Sequence, residues 1–522
     1  MLAILLMLPA LLVNLGLMTL LEDESIRALV ALEMMYSGDY IVPTLNGSLY
    51  FAKPPLYNWI LIGCYKLFPG IINEWAVRLP TVLFTIGFGV VIYFSTKKYL
   101  GKRFALLNAL IFITCGRILF WDSMLGLIDI LFSTVTYGQM ILIFYGLKQG
   151  NYWKAFVGSA FLAAVGFMLK GFPSILFQGI TLIVWCYFTG SIKKLFSKES
   201  FAGVGLFVVI VGGYYYLYNH SGEIRTVMDG LLDQSTRRTL MHEKNSITDF
   251  LKHLISYPFE NLYHFLPWTI MVIYLFKKGM IQKIWQHEFM RFNAVIFLAN
   301  IVVYWTSVEV FPRYILMLIP MVFTIFLFLH PFHKEANTLH FRIVSGFLLF
   351  NLLIIILSAG ALPFHPLTSF RPHVYLKATL ILLTVLGMAY FFYVQRDQRL
   401  IIMVCALFIF RLGFDWMVLP ERQEGDFATL CKEQALDIGR RYKEKDLRIF
   451  KSSKIDYTSS WYLSKTRGRI TKHDYEVADP NAFYVIDTIK FDIPASFKKI
   501  ESFEVREFKR KLWIIQSRND HH

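Results

Sequence analysis

Residues 22–80 read EDESIRALVALEMMYSGDYIVPTLNGSLYFAKPPLYNWILIGCYKLFPGIINEWAVRLP. They join two apolar runs, 1–21 and 77–96, each of about the 20 residues that a helix needs to cross a bilayer. The stretch is therefore a loop held at one face of a membrane, and its chemistry can be read in order. Residues 24–36 carry apolar positions at helical spacing and predict an amphipathic helix along the membrane surface, introduced by Glu22, Asp23 and Glu24. A helix dipole favours acids at its N-terminus, so the cluster has a structural explanation as well as a chemical one. Ser37-Gly38-Asp39 marks a turn, and Asn46-Gly47 a tighter one whose Asn46-Gly47-Ser48 also matches a glycosylation sequon. Lys53-Pro54-Pro55 is a stiff, extended segment that delivers a cation to a fixed place.

Outward from this loop the chain is 522 residues long, 56% hydrophobic and only 17% charged, with a mean hydropathy of +0.48. Such a composition excludes an ordinary soluble enzyme. Thirteen apolar runs predict spans near 1–21, 77–96, 104–121, 124–147, 152–169, 172–189, 201–219, 265–276, 292–307, 313–330, 341–361, 374–394 and 400–418. The first has neither a basic start nor a small-residue cleavage site, so it reads as a retained helix. Basic residues fill every other loop, from Lys97, Lys98, Lys102 and Arg103 to Arg396 and Arg399, and such loops face the cytoplasm. The opposite, outer face then receives the loops 22–76 and 220–264 and everything after about 419. The net charge of +16 raises the question of nucleic acid. Topology accounts for much of it, and no nucleic-acid partner is expected.

From Glu421 onward the chain turns polar, with 21 Lys and Arg nearly balanced by 17 Asp and Glu. Short β-prone runs at Leu447–Phe450, Ala482–Ile486 and Leu512–Ile515 alternate with helical stretches near 427–443 and 457–463. The expected architecture is a polytopic α-helical membrane domain, 1–418, of about thirteen transmembrane helices, followed by a small soluble α/β domain, 419–522, on the outer face. The five cysteines show no metal-type spacing.

The order of acidic pair, SGDYIVP, NG, YFAKPP and closing RLP resembles the polyprenyl-phosphate-sugar-dependent glycosyltransferases of the C superfamily, the lipid A aminoarabinose transferases and protein mannosyltransferases among them. The likeness is strongest over 22–82 and continues through Leu169-Lys170-Gly171-Phe172-Pro173 and Arg313-Tyr314 with Pro320. It implies an integral membrane enzyme in the bacterial inner membrane that moves a sugar from a polyprenyl-phosphate carrier to a lipid or protein acceptor on the periplasmic face. Asp23 then acts as base or orienting carboxylate, with Glu24 beside it and Asp129 as a second acidic site. Lys53 is the first choice for the lipid phosphate, with Lys170, Arg313, Tyr57 and Tyr314 as further donor contacts. Asp122, Arg27, Arg237, Arg238 and His242 complete the candidates, with Arg117 as a candidate partner for the aspartates of 122–129. Transfer to a hydroxyl needs a carboxylate within reach of the attacking oxygen, and a leaving phosphate needs cations in a partly dehydrated cleft.

Two departures matter. Ala52 stands where aminoarabinose transferases carry an acid that helps bind a metal; a divalent metal therefore lacks its usual ligand and stays open only as the weaker alternative, with His242 as a lone remnant ligand. Relatives commonly carry Arg three residues after the first acid; here that place is Ile26, with Arg27 one step on. Both changes point to a different sugar or acceptor. The alternative from another class is a transporter or flippase of a lipid-linked saccharide, which would show repeated halves and broken helices at the midplane.

Overall fold

A computed structural model of the chain describes residues 1–21, 23–221, 229, 247–307, 310–366, 368–369, 372–423, 426–477, 479–506 and 509–518. Glu22, Arg237, Arg238 and His242 lie outside them. In hydrocarbon a helix satisfies its own backbone donors and acceptors, so apolar runs fold as helices. Among the described residues eight helices are long and apolar enough to cross a membrane, against thirteen runs read from the sequence. Joining explains part of the difference. After α3 (Leu56–Leu67), the second and third runs form one helix, α4 (Glu74–Thr114), broken at Gly101, where φ is +75°. Phe88 meets Phe112 at 4.4 Å between ring centroids, so α4 is a hairpin about that glycine. Length explains the rest. The first run folds as α1 (Leu2–Leu12), the sixth as a helix of 16 residues, Pro173–Phe188, the tenth as a 3-10 turn, Pro312–Ile315, followed by the helix Ile319–Glu335, and the eighth as a 3-10 helix of 9 residues, Trp268–Phe276. After the short α5 (Gly116–Phe120), helix α6 (Asp129–Lys148) fixes the two sides: Lys148 pairs with Glu288 at its basic end, and Asp129 opens the other.

At that other end, α1, the loop helix α2 (Asp23–Ser37) and α4 meet around one buried ion pair. Glu24 is fully buried and Arg78 is 2% exposed. Arg78 donates Nε to Glu24 Oε1 at 2.7 Å and Nη2 to Oε2 at 3.0 Å. Its remaining donors reach the carbonyls of Leu15, Met18 and Thr19, so all five N–H groups of the guanidinium are used. Glu24 also accepts the backbone N–H of Leu21 and of Gly126. A Cβ on Gly126 would come within 2.8 Å of the Val77 carbonyl oxygen, which explains a glycine there. The anchored α2 is not the surface-lying helix expected. Nearly all of it from Glu24 to Met34 is buried, and the helix Tyr457–Arg467 of the C-terminal part packs on it.

After α2 the chain makes a two-stranded hairpin, β1 (Thr44–Leu45) and β2 (Ser48–Leu49), turned by Asn46 (φ +51°) and Gly47 (φ +78°). Buried Glu33 on α2 holds it, accepting from the Thr44 hydroxyl and the backbone N–H of Asn46 and Gly47. Burial raises the Glu33 pKa in spite of these donors. The C-terminal sheet has the order β4–β3–β5–β7–β6, with β3 (Leu447–Phe450), β4 (His473–Asp474) and β5 (Phe483–Ile486) parallel and β6 (Phe497–Val505) and β7 (Arg510–Ser517) antiparallel. It is docked on the membrane part through the hairpin and α4. The Asn46 side chain bonds Ser460, its carbonyl accepts from the His473 N–H, and Glu74 accepts from Lys432 and Tyr462. Asn46 is 2% exposed and so engaged, which gives the NGS triplet a turn role.

Breaking a buried ion pair from one side leaves an uncompensated charge and costs about 3–5 kcal/mol. Thermal unfolding in detergent is expected to show a loss of that order for Arg78→Met and for Glu24→Gln. The double variant should lose less than the sum; strictly additive losses would mean the two side chains are not coupled.

Candidate active site

Beside the buried pair lies an open cleft of about 770 Å³. Its floor is the first turn of α2, its walls are the β1–β2 hairpin, the Ala52-Lys53 strap and the start of α6, and its far side is Lys170 with Arg313 and Tyr314. Asp23 and Glu24 are adjacent on a helix and so point about 100° apart. Glu24 turns inward to Arg78, whereas the Asp23 side chain remains 53% exposed in the cleft. Arg313 Nη2 bonds Asp23 Oδ2 at 3.1 Å, and its Nε lies 3.5 Å from Asp129 Oδ2. Lys170 Nζ donates to Asp129 Oδ1 at 2.5 Å and sits 4.0 Å from the centre of the Tyr314 ring. The helix end at Gly171 (φ +83°), followed by Pro173 opening the next helix, fixes Lys170 in this place.

Arg27, four residues after Asp23, is on the same helical face and lines the cleft. It is 6% exposed, its guanidinium carbon lies 5.3 Å from the centre of the Tyr50 ring, and its Nη1 has no hydrogen-bond partner. Lys53 is half-buried in the same wall. The cleft thus gathers four cations, Arg27, Lys53, Lys170 and Arg313, around two carboxylates, Asp23 and Asp129.

Three sequence candidates do not join them. Glu24 has its carboxylate filled by Arg78 and two backbone donors, so it supports Asp23 and is not a second reacting acid. Tyr57 is fully buried with its hydroxyl 3.1 Å from that of Thr81, away from the cleft. Asp122 is buried against Arg117 at 3.1 Å; burial pushes its pKa up to about 6 although Arg117 opposes the shift. Tyr50 and Tyr457 line the cleft without having been singled out by sequence. Among the described residues no three His, Cys, Asp or Glu side chains converge to hold a metal ion.

Comparison with known proteins bears on the fold. Residues 52–215 match the family of dolichyl-phosphate-mannose-protein mannosyltransferases. An undecaprenyl phosphate-alpha-4-amino-4-deoxy-L-arabinose arabinosyl transferase of Edwardsiella ictaluri is 28% identical over 180 residues, 33% of this chain and 32% of its own. An uncharacterized protein of Aquifex aeolicus is 22% identical over 221 residues, 42% of this chain and 43% of its own. The chain thus matches less than half the length of these curated relatives. The crystal structure of ArnT from Cupriavidus metallidurans bound to undecaprenyl phosphate superposes with a TM-score of 0.67 at 18% identity, covering 98% of this chain and 97% of that one. The resemblance read from the first loop is borne out, and the chain has the fold of that protein: a multi-pass membrane part with a small C-terminal sheet domain.

Asp129 is 7% exposed and shares its charge between two cations. Lys170→Met and Arg313→Met should each be tolerated better than the pair together, which leaves a buried carboxylate uncompensated and costs several kcal/mol, about 3–5. Melting curves of the three variants check this; equal losses in single and double variants would show that one cation alone serves Asp129.

Proposed function

We propose that the protein is a glycosyltransferase that takes a sugar from a polyprenyl phosphate and passes it to an acceptor on the outer face of the inner membrane. One observation carries the reading: a half-exposed carboxylate, Asp23, stands in a cleft with a surplus of two positive charges. A phosphomonoester carries about −1.5 to −2 at neutral pH, whereas the phosphodiester donor carries one charge. The cleft therefore favours the leaving polyprenyl phosphate over the donor, and charge that is better matched late in the reaction lowers the barrier. Lys53 and Arg27 receive the phosphate, since both line the cleft beside Asp23 and Arg27 Nη1 has no hydrogen-bond partner. Asp23 takes the proton from the attacking hydroxyl, or orients an acceptor that is already ionised.

The carrier chain has a place as well. An apolar cavity of about 1460 Å³ runs between the helices Ile247–His264, Glu288–Trp305 and Ile319–Glu335, from Trp285 to Ile315, two residues from Arg313. The sugar is best read as uncharged. Ala52 supplies no acid and both carboxylates are paired, so an ammonium group would meet a net positive surface. The transporter alternative calls for ionisable groups or broken helices at the midplane. In this chain Asp23, Asp129, Lys170 and Arg313 sit at or beside helix ends, Arg27 in the second turn of α2 and Lys53 on the strap.

Asp23→Asn should lower kcat by about 100-fold or more while donor binding and melting temperature stay unchanged. Purified protein with radiolabelled polyprenyl-phosphate hexoses tests this; undiminished transfer would remove Asp23 from the reaction. Lys53→Ala should weaken binding of polyprenyl phosphate by about tenfold, the loss of one charge-assisted bond. Wild-type affinity in a binding titration would exclude Lys53 from the phosphate site.

A further inference from the structure

On the other side of Asp23 lies a second groove, of about 910 Å³, between the start of α2 and the C-terminal domain. Asp23, Ile26 and Tyr457 form the wall common to both spaces. The second groove adds Thr458 and Arg506 from the C-terminal domain and Leu21 and Ser25 from the membrane part. Its charges are simple. Asp456 caps the helix Tyr457–Arg467 through the N–H and hydroxyl of Ser459 and also accepts the backbone N–H of Arg506, so its carboxylate is occupied. The exposed guanidinium of Arg506 is the cation that a ligand entering from this side meets.

A transferase that inverts or displaces at a sugar carbon needs its two substrates on opposite sides of the reacting group, with the base between them. Asp23 occupies that position between the two spaces. Resting on the functional reading above, we propose that the groove at the domain junction is the acceptor subsite, that Tyr457 and Arg506 line it as specificity residues, and that it takes a hydroxyl carried on an anionic head group. The step balances simply. The bond from the sugar's anomeric carbon to the phosphate oxygen breaks, with its electron pair leaving on polyprenyl phosphate. The new bond forms to the acceptor oxygen, whose proton passes to Asp23 and then to water. Arg506 holds the acceptor's anion away from the donor cations, which would otherwise trap it, and Tyr457 separates the two substrates.

Thr458 lines the second groove and not the first, so Thr458→Cys reports on it alone. In membranes carrying the full chain, and after subtracting labelling of the wild type, the introduced thiol should react several-fold faster with the anionic reagent ethylsulfonate methanethiosulfonate than with its trimethylammonium counterpart. Arg506→Gln in the same background should abolish the preference. The sulfonate adduct should block transfer from radiolabelled polyprenyl-phosphate hexose to the acceptors of the membrane, while binding of labelled polyprenyl phosphate is unchanged. Independently, Arg506→Gln in the otherwise native chain should raise the acceptor KM and leave kcat and donor binding as they were. Retained transfer after modification, absence of charge preference, or parallel loss of donor binding would each overturn the assignment. Failure of the unmodified wild type to transfer from any such donor would instead sink the enzymatic reading on which the assignment rests.

Discussion

The Glu24–Arg78 pair is the joint on which the site is built. Arg78 gathers the carbonyls that end the first helical segment, and Glu24 gathers the N–H of Leu21 and of Gly126. Three stretches of chain that are distant in sequence, 15–24, Arg78 and Gly126, are thereby fixed at one point. Asp23 is the next residue on one of them, and Asp129 follows Gly126 by three on another. Both cleft carboxylates thus inherit their positions from a pair that never meets a substrate. Such an arrangement is possible because a buried ion pair whose donors and acceptors are all filled tolerates low dielectric, whereas a half-filled one does not.

Two neighbouring acids consequently do opposite work. One is buried, saturated and structural; the other is half-exposed and, on the proposed function, reactive. The difference follows from helical geometry, since successive side chains diverge by about 100° and only one of the two can face the cleft. A sequence reading sees the pair and not the partition.

Other features were legible to different degrees. The apolar runs, the NG turn and the KPP strap are local signals, and the structure holds them where local physics puts them. Arg27 was readable in principle: four residues from Asp23 is one helical turn, a better guide than its mismatch with relatives that carry Arg a step earlier. The strand Phe497–Val505 was invisible for a physical reason. A bulge between Lys499 and Glu501 shifts its register, so its inward residues do not alternate. Tyr457 carried no signal at all, because it meets Asp23 only through the tertiary docking of the C-terminal domain on α2 and the hairpin. The count of spans was blurred where helices join, as at Gly101, or fall short, as at Trp268–Phe276.

The docking has a consequence for the order in which the protein comes alive. The cations of the donor cleft are complete once residue 313 has been made, but the wall that Tyr457 supplies is not added until the chain has grown by well over a hundred residues more. On the proposed function, a nascent or truncated chain would hold a lipid-linked sugar before it could present an acceptor to it. Water would be the only nucleophile at hand in that interval, and burial of Asp23's neighbours by the arriving domain closes the exposure. On the proposed function, a wall of the site that is made long after the donor-side cations makes docking of the C-terminal domain the licence for turnover.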